Sequence, residues 1–287
     1  MKTFLECLPC FMKQALKAGK VATSDEKTIK KILDKVGETI KDIPLENTPP
    51  ETGGIIYKIV SDITGITDPY YETKQKNITH ALDVFPEYHQ KVLALNDKQK
   101  QLALAIRIAC AGNVIDLGVD RVFDLKRDIE EAIKIDFKIW DFEYFCKKLN
   151  TAKLILYIGD NSGEAVFDKI LLQELEPKVI FATRGIPVLN DVTLAEAKQI
   201  GLDKYAQLIS SGVTSPGAII KLASAEFVDY FQQADIVIAK GQGNYEALST
   251  EARDIFFLMK AKCPVIAQDA GVDVEDYVFE YKGSSSS

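Results

Sequence analysis

From residue 153 onward, short apolar runs recur along the chain, and each stops at a cluster of small or polar residues. Residues 153–158 run into Gly159, Asp160, Asn161, Ser162, Gly163 and Glu164. Residues 179–182 run into Arg184 and Gly185, then Asn190 and Asp191. Residues 236–239 run into Lys240, Gly241, Gln242, Gly243 and Asn244, and residues 265–267 run into Asp269, Ala270 and Gly271. Runs of this length, rich in Ile and Val, predict strands buried on both faces, with helical stretches between them. The alternation predicts an α/β fold with a mostly parallel sheet. In such a sheet ligands bind outside the carboxyl ends of the strands, where this chain concentrates its polar residues.

The first half has a different rhythm. Thr23 to Glu26 has the spacing of a capping box, and Ile29, Ile32, Leu33, Val36 and Ile40 follow at helical intervals. A break at residues 47–50 precedes a short helix expected over 55–63 and ending near Gly65. Helices are expected over 71–95 and 97–111, the latter stopped by Gly112 and Asn113. Residues 124–150 complete a half expected to be helical throughout. Accordingly, 1–150 is expected as a helical N-terminal region, 151–283 as an α/β metal- and phosphate-binding domain, and 284–287 as a disordered Ser tail. Residues 255–259 are expected as a helix ending near Lys260.

Composition narrows the partners. The 287 residues carry a net charge of −7 with no basic stripe, which disfavours nucleic acid. No run of ~18–20 apolar residues offers a membrane span, and the start of the chain lacks the apolar core of a signal peptide. A cytoplasmic protein is expected. Five cysteines do not make a secreted disulfide framework. Cys7 and Cys10 form one C-x-x-C, whereas Cys110, Cys146 and Cys263 are isolated on apolar elements and expected in the core. His80 and His89 have no nucleophile beside them.

Three constellations carry chemistry. Asp160 and Asn161 offer hard oxygen donors where a strand hands over to a helix, whose free N–H groups favour an anion. Either residue could equally cap that helix. Asp191 would be a second carboxylate at the same edge, or, with Thr193 and Glu196 as the alternative, the cap of a helix at 194–200. Two carboxylates and an amide suit Mg²⁺ or Mn²⁺ better than Zn²⁺. Lys240 to Glu246 is not a dinucleotide fingerprint, because its third glycine position is Glu246. Its two glycines behind Lys240 still suit a phosphate-approaching loop. No Walker A pattern occurs.

Taken together, Cys7-x-x-Cys10 with Gln14, Thr48-Pro49, Asp68-Pro69-Tyr70, Gly112-Asn113 with Asp116, Asp160 to Glu164, Arg184-Gly185 with Asn190-Asp191, and Lys240 to Glu246 resemble the metal-dependent damage-control phosphatases, domain of unknown function 89. The N-terminal C-x-x-C is similar to their prokaryotic branch. The resemblance implies a helical N-terminal region over a three-layer α/β/α core. It implies a divalent ion (Mn²⁺, Mg²⁺, Ni²⁺ or Co²⁺) held by Asp160, Asn161 and Asp191, which are then the catalytic residues. It further implies contacts to a small phosphorylated metabolite from Glu164, the 242–246 loop (Gln242, Gly243, Asn244) and Lys260. Lys240 would offset phosphate charge, and Asn113 and Asp116 would line the site from the helical side. At 242–245 the sequence departs from the acidic, Leu and Arg pattern of the sugar-phosphate members, so no hexose preference is carried over. The implied reaction is phosphomonoester hydrolysis by in-line attack of water or of Asp160. Two alternatives are carboxyl methyl transfer from S-adenosylmethionine, for which no glycine-rich first loop exists, and a non-catalytic phosphometabolite sensor.

Overall fold

The computed structural model describes residues 1–111 and 125–283. Six helices come first: α1 (Cys7–Ala22), α2 (Glu26–Ile40), α3 (Pro49–Thr64), α4 (Tyr71–Leu93), α5 (Lys98–Ala111) and α6 (Leu125–Lys134). Then follow β1 (Ile139–Trp140), α7 (Phe142–Leu149), β2 (Leu154–Ile158), α8 (Ala165–Gln173), β3 (Lys178–Thr183), α9 (Leu194–Gln199) and β4 (Gln207–Ser210). The chain ends with α10 (Ala225–Gln233), β5 (Ile236–Lys240), α11 (Gly241–Leu248), β6 (Ile255–Lys260), α12 (Pro264–Ala270) and β7 (Tyr277–Lys282).

The strands form one sheet in the order β1-β7-β6-β5-β2-β3-β4. Only the β6–β7 pairing is antiparallel among the described strands. Because β3 and β5 flank β2 on opposite sides, the strand order reverses at β2, and the carboxyl ends of β2 and β5 make the switch-point crevice. Alternation along the strands divides the core in two. Ile155, Tyr157, Phe181, Ile238 and Leu258 pack with α4, α5 and α8 on one face. Leu156, Ile158, Ile180, Val237 and Phe257 pack with α10, α11 and α12 on the other. This is the expected three-layer α/β/α arrangement. Helices α1, α2 and α3 share a separate apolar cluster, centred on Phe11, Ile32, Val36, Ile56 and Val60, and α1 and α3 line the crevice at the end of the sheet. Among the described residues no helix is long and apolar enough to cross a membrane.

Several elements differ from their expected form. Residues 255–260 are a strand, not a helix, and 264–270 are a helix, not a strand. Short apolar runs carry no period that separates the two. The aromatic pair Phe256-Phe257 suits a sheet position, and Pro264 at the first turn starts a helix. The stretch 124–150, expected to be helical, contains β1, a two-residue parallel pairing on β7 that is too short to leave a pattern. The loop expected at 242–246 is the first turn and body of α11. Asp25 rather than Thr23 caps α2, accepting from the Lys27 and Thr28 amides. The complete capping boxes are Thr48 with Glu51 and Thr193 with Glu196.

One buried ion pair network ties the helical layer to the sheet. Lys74 of α4 is fully buried, with its ammonium 2.7 Å from Asp68 and 2.6 Å from Glu196. Glu196 also closes the capping box that follows the Asn190–Val192 segment. Removing the cation would strand two carboxylates in a poorly solvated place, which costs more than the pair contributes. Lys74→Met is expected to lower unfolding free energy by ~3 kcal/mol in urea titrations; a change below ~1 kcal/mol would show that the network carries no strain of unpaired charge.

Candidate active site at the switch-point crevice

The crevice is built from backbone pairing first. After β2, residues 160–162 run beside the loop 190–192. Val192 donates its amide to the Asp160 carbonyl at 2.7 Å, Ser162 donates its amide to the Asn190 carbonyl at 2.8 Å, and Asn161 and Asp191 face each other as an antiparallel bridge. The Ser162 hydroxyl, fully buried, donates to the Asn190 and Asp191 carbonyls. Asp160, Asn161 and Asp191, expected together, are thus brought together. Asp160 also requires its neighbour to be a glycine. Gly241, at φ +76°, passes so close that a Cβ would fall 1.9 Å from Asp160 Oδ2.

Electrostatics behind this edge are dominated by carboxylates. Lys240 is fully buried with Nζ 2.5 Å from Glu164, 2.6 Å from Asp168 and 3.0 Å from the Ala109 carbonyl. The Tyr157 hydroxyl donates to the same Asp168 oxygen at 2.6 Å. Arg184, also buried, donates from Nε to Asp191 Oδ2 at 2.6 Å, and its Nη2 lies 3.6 Å from Asp160 Oδ1. Four carboxylates (160, 164, 168, 191) therefore meet two contacting cations, a formal excess of two negative charges. Burial pushes Glu164 up to about 8 and Asp191 up to about 7, against the pull of Lys240 and Arg184 respectively. Burial raises Asp160 and Asp168 as well. For Lys240, burial alone would lower the pKa, but Asp168 and Glu164 raise it, so it stays charged.

This donor set fits a hard divalent cation. It offers oxygen donors, and its charge deficit matches two positive charges. Asp168 Oδ2 and both Arg184 Nη atoms are buried without a hydrogen-bond partner, so the polar shell is incomplete as it stands. Among the described residues no group of three His, Cys, Asp or Glu side chains forms a metal cage; the set here is two carboxylates and an amide.

In front of the edge lies a cavity of about 500 Å³. Asp160, Asn161 and Asp191 line it, with Gln242 and Gly243 from the first turn of α11. The opposite wall comes from Cys7, Cys10 and Gln14 of α1 and from Pro50 and Tyr57 of α3. Gly243 is held there by another close approach: a Cβ on it would lie 2.1 Å from the Pro216 carbonyl. Other expected residues stand elsewhere. Glu164 and Lys240 lie behind the edge in the buried network. Asn244 is buried and clamps backbone, donating to the Gly159 and Lys240 carbonyls and accepting from the Ala218 amide. Lys260 pairs with Glu275 and does not line the cavity. Asn113 and Asp116 lie outside the described residues.

Some lining residues were missed. Lys17 and Lys262 are the cations among the cavity's described lining residues; once 255–260 is known to be a strand, Lys262 falls at the sheet edge. Glu246, the last residue of the 242–246 loop expected to contact substrate, does line the cavity, is raised by burial to about 7, and accepts from Gln242 Nε2 at 2.9 Å. Arg184 left a signal in its place after an apolar run, but nothing separated it from a surface cation. Cys263, expected in the core, is half-buried on the cavity wall beside the C-x-x-C pair, and burial pushes the Cys263 and Cys7 thiols up.

Comparison with known proteins gives a consistent picture. The family model described as damage-control phosphatase ARMT1-like domain matches residues 3–278. The chain is 35% identical over 282 residues to a damage-control phosphatase of Pyrococcus horikoshii, covering 95% of both chains. It is 31% identical over 295 residues to a damage-control phosphatase of Archaeoglobus fulgidus, covering 97% of this chain and 98% of the relative. The crystal structure of a P. horikoshii protein of domain of unknown function 89 superposes with a TM-score of 0.89 at 33% identity, covering 97% of this chain and 98% of the other.

The raised carboxylates set a pH dependence. Each holds a proton in the folded chain that the unfolded chain has released above its ordinary pKa near 4. Their contribution to stability is therefore present at low pH and lost as pH rises through 7 to 8. The melting temperature of metal-free protein is expected to fall between pH 5.5 and 8.5 by roughly several degrees. A flat or rising melting temperature would contradict the charge excess. Gly241→Ala, with its Cβ directed into Asp160, is expected to destabilise by over ~2 kcal/mol in the same melts.

Proposed function

The chain belongs to the damage-control phosphatase ARMT1-like family, and from that premise we propose that it is a metal-dependent phosphatase that hydrolyses phosphomonoesters of small, damaged or side-product metabolites. The observation that carries this reading is the gathering of hard oxygen donors at the switch-point crevice, within a cluster of four carboxylates held by ion pairs from Lys240 and Arg184.

Asp160, Asn161 and Asp191 would hold the ion. A divalent metal there would supply Lewis-acid polarisation of a phosphate oxygen and neutralise charge in the transition state. Arg184 fixes the Asp191 carboxylate by its Nε bond and leans on Asp160, so both ligands keep their orientation before the ion binds. Lys240 serves the site from behind by holding Glu164 and Asp168, and Lys262 and Lys17 are placed to meet the phosphate charge in front. The amides opening α11 at Gln242 and Gly243 add donors at the end of a helix dipole. Glu246, with its pKa near neutrality, is the group on the cavity wall suited to carry a proton to or from the reacting oxygens.

The decisive measurement is phosphate release from a panel of phosphometabolites with Mn²⁺, Mg²⁺, Co²⁺ and Ni²⁺. Turnover is expected with at least one ion and none in EDTA. Asp160→Ala is expected to lose that turnover while keeping its circular dichroism spectrum; retained turnover would refute the assignment. Calorimetry with S-adenosylmethionine is expected to show no heat.

A further inference from the structure

A second cavity of about 610 Å³ adjoins the first. It lies between α3, the turn at 66–70 and the loop 186–189, and it shares Tyr57, Tyr70 and Leu189 with the crevice cavity as a common wall. Four large aliphatic side chains on its lining are exposed: Ile55 (39%), Ile66 (38%), Ile186 (48%) and Leu222 (52%). Isolated exposed aliphatics are ordinary, but four around one concavity next to a reaction centre mark a binding surface.

A single loop serves both compartments. Ile186 to Leu189 line the apolar groove, and Asn190 and Asp191 follow directly into the crevice. The changeover is at Leu189, which takes φ +49°, a left-handed conformation that a leucine adopts only at a cost. The polar side chains nearest the shared wall are already used. The Tyr57 hydroxyl donates to Gln14 Oε1 at 2.9 Å, and Gln14 Nε2 points at Cys10 Sγ. Gln242 is bonded to Glu246 and to the Lys262 amide. The charged residues on the groove are ion-paired, Lys58 with Asp62, Asp68 with Lys74 and Glu51 with Lys221, so a leaving group dense in hydroxyls would compete with these pairs, whereas an apolar one packs on Ile55, Ile66, Ile186 and Leu222.

We propose that the substrate is the phosphomonoester of an amphiphilic alcohol, with its phosphate at Asp160, Asn161 and Asp191 and its apolar chain laid over Leu189 into the groove. This rests on the phosphatase reading for the position of the phosphate, and the test separates the two. Straight-chain alkylphosphonates from methyl to octyl, which cannot be hydrolysed, are titrated calorimetrically into the Mn²⁺-loaded protein. Beyond the shortest members, Kd is expected to fall roughly threefold per added methylene until the groove is filled. Two variants probe the groove: Ile186→Ser, at an exposed position that leaves folding intact, and Ser61→Trp, which fills the space from α3. Both are expected to flatten that gradient. A series of flat affinity, an absence of binding, or a gradient that neither variant changes overturns the proposal. A flat series in which Ile186→Ser also abolishes a dimer seen by sedimentation would assign the groove to a second copy instead. If the phosphonate gradient appears but no phosphomonoester is turned over with any ion, the groove stands and the phosphatase reading falls. Turnover with a flat series gives the reverse.

Discussion

Lys240 and Arg184 between them hold four carboxylates at the end of β2, and they leave that cluster two charges short of neutral. The partners come from different elements. Glu164 and Asp168 flank and enter α8, Arg184 follows β3, Lys240 ends β5, and Asp191 lies on the loop before α9. The network therefore locks together the three strands on either side of the topological switch. Neither cation could be dropped without leaving buried charge unpaired, and neither suffices alone. The remaining deficit is carried as raised carboxylate pKa values, a standing cost to the folded chain that a bound divalent ion would relieve.

The same constraint explains the backbone around it. Asp160 can take its place only because Gly241 has no Cβ, and the turn into α11 can approach Pro216 only because Gly243 has none. A sequence reading registers these glycines as a phosphate-approaching loop. Their structural use is closer packing: they let one strand end press against the side chain at another. The amides of α11 are thereby delivered to the cavity as part of a helix start.

Much of this was legible in the sequence for physical reasons. The strands β2, β3 and β5 are Ile- and Val-rich runs buried on both faces, and each ends in residues with little other reason to be adjacent, so the edge bearing Asp160, Asn161 and Asp191 could be read directly. The family motifs added the grouping of those three. What periodicity lacked was any hold on short runs. Residues 255–260 and 264–270 exchanged identities, and with them the position of the basic residue at the cavity moved from Lys260 to Lys262. Lys240 shows another limit. A lysine after a strand reads as a ligand for anions, and only three-dimensional packing reveals that α8 supplies its anions from within. The gathering of Cys7, Cys10 and Cys263 on one wall depends on α1 lying across the sheet edge, which no local pattern encodes.

Chemistry and selection are divided between layers. The proposed ion ligands and their supports all come from the sheet edge and its connections, in positions tied by buried bonds that tolerate little change. The opposite wall is contributed by α1 and α3, whose own apolar cluster is separate from the two cores that flank the sheet. Residues such as Gln14, Tyr57 and Ile55 can therefore vary without disturbing the charge network behind Asp160. The loop 186–191 is the exception, because it lines the groove and also carries Asp191, and the left-handed Leu189 is the point where a change in the groove would be transmitted to Asp191. Substitutions on the helical wall should alter which alcohol is accepted, whereas substitutions at Leu189 should alter both acceptance and ion binding, since it directly precedes the 190–192 segment that Val192 and Ser162 pin to residues 160–162.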